Sequence, residues 1–187
     1  MVNETRRAAD VLGRMRDMLR RRESERAPVA LGALLEGVAR RFREEGVARA
    51  IQLACELDRG LPAVPGDVVQ LEQVLMNLVV NAFDALGVGG AGPRRVVLRA
   101  RAAPGGGVDL AVRDTGPGLP DQALAHAFDP FFTTKPQGLG MGLAISRSIV
   151  EAHGGRLLAR NNSDRGATFE LHLPPARPAG AMSRRPA

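Results

Sequence analysis

The residues whose types suggest chemistry more than packing fall into four short segments. Gln70, Gln73, Asn77, Asn81 and Asp84 recur at spacings of three and four, so on a helix they form one polar stripe. Leu71, Val74, Leu75, Leu78, Val79, Ala82 and Phe83 surround that stripe, and a helix apolar over most of its circumference is buried. Its stripe must then face other polar groups or a cavity, because a buried amide without a partner costs ~1–3 kcal/mol. Asparagine also weakens a helix interior, so Asn77 and Asn81 need a reason to be there.

Asp114-Thr-Gly-Pro-Gly118 closes an apolar, strand-like run. A carboxylate beside flexible glycines can approach a flat heterocycle and accept from an exocyclic amine, selecting adenine over guanine by ~1.5–3 kcal/mol. Taken alone, the string also reads as a plain turn after a strand. Gly138-Leu-Gly-Met-Gly-Leu143 leads into a helical run, and glycines at a helix N-terminus let backbone N–H groups close on phosphate. The spacing is not the dinucleotide fingerprint, no Gly-Lys-Ser/Thr of a Walker loop occurs, and protein-kinase signatures are missing. Between these segments lies Ala127-Phe-Asp-Pro-Phe-Phe-Thr-Thr-Lys135, a phenylalanine anchor followed by two hydroxyls and the only lysine of the chain. Hydroxyls and an ammonium there suit phosphate contact.

At 187 residues the chain accommodates one packed domain and an appendage. With six Phe and no Tyr or Trp, its core is built from Leu, Val, Ile and Ala. The net charge of +6 is carried by largely dispersed arginines, with clusters such as Arg20–Arg22 and Arg184–Arg185 but no aromatic ladder interleaving them. That pattern reads as a solvated surface, and no specific nucleic-acid partner is expected. One cysteine excludes an internal disulfide or a multi-cysteine metal site; on the alternating run 51–57, Cys55 is expected to be a buried structural thiol. No apolar run is long enough to span a bilayer and no signal peptide opens the chain, which leads us to expect a cytoplasmic domain, whatever its parent is anchored to.

The elements that must position these segments follow from periodicity. Ala8, Leu12, Met15 and Leu19 make a bundle seam on a helix over residues 3–22, a seam that needs a partner helix. Arg21 to Pro28 reads as a linker, and a second helix spans Leu31 to Glu45 and stops at Gly46. The strand 51–57 follows. Asp67 then caps the long helix to about Leu86, which the glycines at 87–92 break. Val96–Arg101 with Val108–Asp114, and Arg156–Asn161 with Ala167–Leu173, read as hairpins. Residues 115–141 are loop, a helix covers about 142–153, and the tail from Pro174 reads as disordered. The fold class expected is α+β, with helices on one face of a mixed, mostly antiparallel sheet.

In order and spacing, the four segments resemble the N, G1, F and G2 boxes of sensor histidine kinases, within the superfamily of gyrase-, Hsp90-, histidine-kinase- and MutL-type ATPases. The resemblance runs from about Leu31 to Pro174 and closes on Gly166-Ala-Thr-Phe-Glu-Leu-His-Leu-Pro174. In flavour it is similar to the oxygen-sensing and PAS-linked kinases, with Asn81-Ala-Phe-Asp-Ala85 and a short lid at Pro136-Gln-Gly138. It implies a two-layer, Bergerat-type ATP-binding fold over residues 28–174, preceded by a remnant of the phosphoacceptor hairpin over 1–27 and followed by a disordered tail over 175–187. It also implies that Asn81 holds Mg²⁺ and Asn77 lines the phosphate side, with Asp84 beside them. Asp114 would read the adenine amine, helped by Thr168 through water, while Gly116 and Gly118 permit close approach. Gly138, Leu139, Gly140, Gly142 and Leu143 would form the lid base over the triphosphate, with Lys135 near the γ-phosphate.

Two departures from the resembled pattern matter. Where water-using ATPases of the superfamily carry a glutamate this chain has Asn77, and an amide cannot act as general base. Many of the kinases carry a basic residue where Asp84 stands, so phosphate contact falls to Lys135 or to an arginine elsewhere. The acceptor in that family is a histidine followed by an acidic residue on a dimerising hairpin. His126, His153 and His172 have no such context, so the acceptor is expected on another segment of the parent protein. The expected partners are ATP, that hairpin, a response-regulator receiver domain, and a second copy through the N-terminal helix. The competing readings are an ATP-hydrolysing domain of the same superfamily and a non-catalytic nucleotide-binding module.

Overall fold

A computed structural model describes residues 26–87, 92–135 and 138–176. In chain order the elements are β1 (Ala27–Val29), α1 (Leu31–Arg41), α2 (Arg43–Ala48), β2 (Gln52–Leu57), β3 (Val64–Gly66) and α3 (Val68–Gly87). They continue with β4 (Arg95–Ala102), β5 (Val108–Asp114), α4 (Asp121–Ala125), α5 (Gly142–Ala152), β6 (Arg156–Asn161) and β7 (Ala167–Leu173). A five-stranded sheet has the order β2-β4-β5-β7-β6. Only β2 and β4 run parallel; the other neighbours are antiparallel. β1 and β3 form a separate two-stranded ribbon.

Alternation in the strands decides which face is buried. Val96, Leu98 and Ala100 of β4, Val108, Leu110 and Val112 of β5, and Phe169, Leu171 and Leu173 of β7 point into one core with Leu31, Leu35 and Val38 of α1 and Val150 of α5. From α3 the same core takes Leu71, Val74, Leu75, Leu78, Val79, Ala82, Phe83 and Leu86. Several of the intervening strand residues are charged and pair across the ladder: Arg99 with Glu56 at 2.5 Å, Arg160 with Glu170 at 2.8 Å and His172 with Asp109 at 2.7 Å. The dispersed arginines of β4 and β6 therefore serve a solvated sheet face, as their spacing suggested. No helix among the described residues is long and apolar enough to cross a membrane.

Several expectations need correction. The stretch read as a linker ends in β1, which pairs with β3; both strands have three residues and contain proline, too short for an alternation signal. The second helix turns at Phe42 and restarts as α2. Gly46 lies inside α2 and does not stop it: a Cβ there would stand 3.1 Å from the Ile51 carbonyl oxygen, so the helix packs tightly on the chain at this residue. A short helix, α4, occupies part of the stretch read as loop. Cys55 is exposed, because β2 is an edge strand and α1 covers only part of its inner face. Partial burial and then the Glu36 charge still push its thiol pKa up. The bundle seam over 3–22 lies outside the described residues, as do residues 177–187 of the tail.

The capping expectation holds. Asp67 Oδ1 accepts from the Val69 and Gln70 amides at 2.9 and 3.2 Å. Its own amide donates to Nε2 of His153 at 3.0 Å, and Nδ1 of His153 is 2.7 Å from the Ile149 carbonyl oxygen. Only the neutral ring protonated on Nδ1 satisfies both bonds. This 5% exposed imidazole thus ties the end of α5 to the start of α3. His153→Ala leaves the Asp67 amide without its acceptor and opens a void, and should lower unfolding free energy by about 2–3 kcal/mol in urea titration; an unchanged midpoint would show that the tie contributes nothing.

Candidate functional site

One helix organises the site. The stripe on α3 divides in two: Gln73 near its start is exposed, while Asn77, Asn81 and Asp84 are half-buried beneath segments from elsewhere in the chain. Three of those segments meet the helix in succession. Asn77 Nδ2 donates to Ser146 Oγ of α5 at 2.9 Å. A Cβ on Gly142 would fall 2.5 Å from Asn77 Oδ1, so any larger residue at the start of α5 would displace the Asn77 amide. One turn later, the Lys135 ammonium donates to Asn81 Oδ1 at 2.8 Å and to Asp84 Oδ2 at 2.7 Å. Gly116 then packs on Ala85, where a Cβ would stand 3.3 Å from the alanine Cβ.

α5 begins without a side-chain cap, which leaves its first backbone N–H groups for an anion. Before it, the phenylalanine loop folds onto the glycine triplet. The Phe131 amide donates to the Gly140 carbonyl at 3.0 Å, the Gly138 amide to the Lys135 carbonyl at 3.1 Å, and the Lys135 amide to Thr133 Oγ1 at 3.1 Å. Phe128 anchors this loop edge-on against Phe169 of β7, with ring centroids 6.4 Å apart. Leu143 packs against the core, whereas Leu139 is exposed.

Asp114 ends β5 and is 2% exposed. Its Oδ1 accepts from the Gly116 and Ala167 amides at 2.7 and 3.3 Å. Among the described residues no group donates to Oδ2, so one oxygen is committed to the fold and one remains to accept. Burial pushes the carboxyl above its ordinary range, and the two amide bonds offset only part of that rise.

The Thr168 hydroxyl donates to Asn162 Oδ1 at 2.5 Å. Gly118, with φ of 81°, lies against Asn161. Sequence reasoning missed Ser146, Asn161, Asn162 and Arg49, whose guanidinium approaches Asp84 Oδ1 at 3.8 Å. Ser146 follows Gly142 by one helical turn, which is a usable signal. Nothing local marks Arg49, which reaches the site from the end of α2.

The raised Asp114 pKa has a definite sign in stability. The folded state holds this proton to higher pH than the unfolded chain, so the ionised carboxylate destabilises the fold near neutrality, and that penalty fades as pH falls through the folded-state pKa. Asp114→Asn, which keeps an oxygen for Gly116 and Ala167, should therefore raise the denaturation midpoint at neutral pH. The gain should shrink toward the ordinary carboxylate range; a lower midpoint for the variant at neutral pH would contradict this account.

Residues 66–177 match the histidine kinase-, DNA gyrase B- and HSP90-like ATPase family. Sensor protein FixL of Bradyrhizobium diazoefficiens is 40% identical over 170 residues, which cover 91% of this chain and 33% of FixL. Full-length ShkA, solved in complex with AMPPNP, matches with a TM-score of 0.72 at 33% identity, over 82% of this chain and 32% of ShkA. Histidine kinase ThkA, solved in complex with response regulator protein TrrA, matches with a TM-score of 0.71 at 26% identity, over 91% of this chain and 48% of that chain. The chain thus spans about a third of the length of FixL and of ShkA. A family match that takes in more than half of the chain, over loops gathered in this order along one helix, establishes that the chain belongs to the histidine kinase-, DNA gyrase B- and HSP90-like ATPases, as an ATP-binding catalytic domain of the sensor histidine kinase type.

Proposed function

We propose that residues 28–174 bind Mg-ATP and present its γ-phosphoryl group to a histidine on a dimerising hairpin of the parent protein, with the phosphoryl group passing on to a response regulator. The observation that carries this reading is the amide at Asn77. Its Nδ2 is fixed on Ser146 and its Oδ1 faces Gly142, so it lines the phosphate side but cannot take a proton from water. Such a site holds ATP for an external nucleophile.

The chain's own histidines do not supply that nucleophile. His153 is locked between two helix ends, His126 pairs with Asp129 at 2.7 Å, and His172 pairs with Asp109 on the outer sheet face. The solved complex of ThkA with TrrA supports a response regulator as partner by analogy. The N-terminal seam supports pairing with a second copy.

The donor set fits a hard divalent cation. Asn81 Oδ1 and Asp84 Oδ2 already converge on one positive charge, the Lys135 ammonium, and amide and carboxylate oxygens suit Mg²⁺. No cluster of three or more His, Cys, Asp or Glu able to hold a metal occurs among the described residues, so Mg²⁺ bound here would take most of its ligands from phosphates and water. Bound there, Mg²⁺ would supply neutralisation of phosphate charge. Asn81 would hold it, Lys135 would turn toward the γ-phosphate, and the N–H groups at Gly142 and Leu143 would take phosphate oxygens, with Gly138, Leu139 and Gly140 as the lid base. At the other end, Asp114 Oδ2 would accept from the adenine amine, with Gly116 and Gly118 allowing the ring to come close.

Titration with a fluorescent ATP analogue, with and without Mg²⁺, separates these roles. Asp114→Ala should weaken binding about tenfold or more under both conditions, the loss of a charge-assisted bond. Asn81→Ala should mainly remove the difference that Mg²⁺ makes. Unchanged binding in both variants would sink the assignment. A steady ATPase rate in the isolated domain, abolished by Asn77→Ala, would favour the water-using alternative.

A further inference from the structure

The turn between β6 and β7 lies outside the four segments read as chemistry-bearing, yet it holds the Asp114 segment at most of its residues. Asn161 Oδ1 accepts from the Leu119 amide at 2.8 Å, and its Nδ2 donates to the Leu119 carbonyl at 2.7 Å. Asn162 Nδ2 donates to the Asp114 carbonyl at 3.1 Å and to the Arg165 carbonyl at 2.9 Å. Arg165 Nε donates to the Gly116 carbonyl at 3.2 Å, and Asp164 receives Arg113 through both carboxylate oxygens at 2.6 Å. At Gly166, with φ of 83°, a Cβ would collide with the Asp114 carbonyl oxygen, so the two chain segments touch backbone to backbone.

We infer that Asn161 and Asn162 are positioning residues for base recognition, clasping the Asp114–Leu119 segment to the β6–β7 hairpin and so fixing where the Asp114 carboxylate stands. The inference rests on reading Asp114 as the adenine acceptor. A lone carboxylate oxygen discriminates one heterocycle from another only if it is held to about half an ångström. The Gly116 and Ala167 amides orient the carboxylate but do not restrain the glycine- and proline-rich stretch after it. Asn161 restrains that stretch at Leu119, and Asn162 restrains the strand end at the Asp114 carbonyl. Thr168 enters here too: its hydroxyl donates to Asn162 Oδ1, which turns Nδ2 toward Asp114. Thr168 thus acts through Asn162 on the carbonyl of the acid.

A positioning role and a merely structural one separate on which half of the ligand is felt. Affinities for ATP, GTP and inorganic tripolyphosphate are measured with Mg²⁺ on the folded domain for wild type, Asn161→Ala, Asn162→Ala, Thr168→Val and Asp114→Ala. Arg160→Ala, which breaks an exposed pair on the same hairpin without touching residues 113–119, serves as a control. Asn161→Ala and Asn162→Ala should each lose about three- to tenfold in ATP affinity and keep tripolyphosphate affinity, so that ATP-over-GTP preference narrows. Thr168→Val should follow Asn162→Ala, and Arg160→Ala should match wild type. Asn161 is exposed, so Asn161→Ala tests the clasp even if Asn162→Ala does not fold. The inference is overturned if ATP and tripolyphosphate affinities fall together, or if neither moves while Asp114→Ala loses ATP. If Asp114→Ala keeps full ATP affinity and preference, the adenine assignment has failed and the inference with it.

Discussion

The structure depends on a helix that cannot be uniform. α3 buries eight apolar residues against the sheet and its neighbouring helices, and this burial holds its backbone rigid. Its remaining face cannot be apolar, because loops carrying polar backbone cross it. Asn77 resolves that conflict for α5 through Ser146, and one turn later Asn81 and Asp84 together resolve it for Lys135 of the phenylalanine loop. The polar stripe is therefore both the condition for packing α5 and the phenylalanine loop on α3 and the source of the chemistry proposed for them.

Electrostatics along this stripe is local. Lys135 and Asp84 are each about two-fifths exposed, and a pair so open to solvent adds at most about 1 kcal/mol to stability. Asp114 differs in kind: among the described residues its buried carboxylate is held by two amides and paired with no cation, and burial disfavours its ionised form. The fold tolerates a destabilising group at one end of the site and a nearly neutral one at the other. That is the pattern expected where residues are kept for recognition.

Much of this was legible in the sequence. β4 to β7 alternate cleanly and are separated by glycine-rich or polar turns. α3 carries an unmistakable period and an aspartate cap. Asn77, Asn81, Asp84 and Lys135 could be named because three share a helix face and the fourth is the only lysine. β1 and β3 were not legible, since three residues with a proline give no period. Cys55 misled because alternation reports which face a residue takes but not whether a sheet edge is covered. The partners that complete the site (Ser146, Arg49, Asn161 and Asn162) are ordinary surface types whose meaning arises only from tertiary contact. Thr168 shows the same limit: its place in the motif was readable, its bond to Asn162 was not.

Among lysine and arginine the chain uses arginine everywhere but once, and the single lysine stands where Asn81 and Asp84 converge. A guanidinium there would engage Asp84 through two parallel bonds as a rigid fork. An ammonium on a four-carbon stem is a rotatable point charge that can release one oxygen before the other. If Mg²⁺ binds as proposed, Lys135 would yield its place on Asn81 to the incoming ion, and the corner would trade one positive charge for another without leaving its oxygens bare.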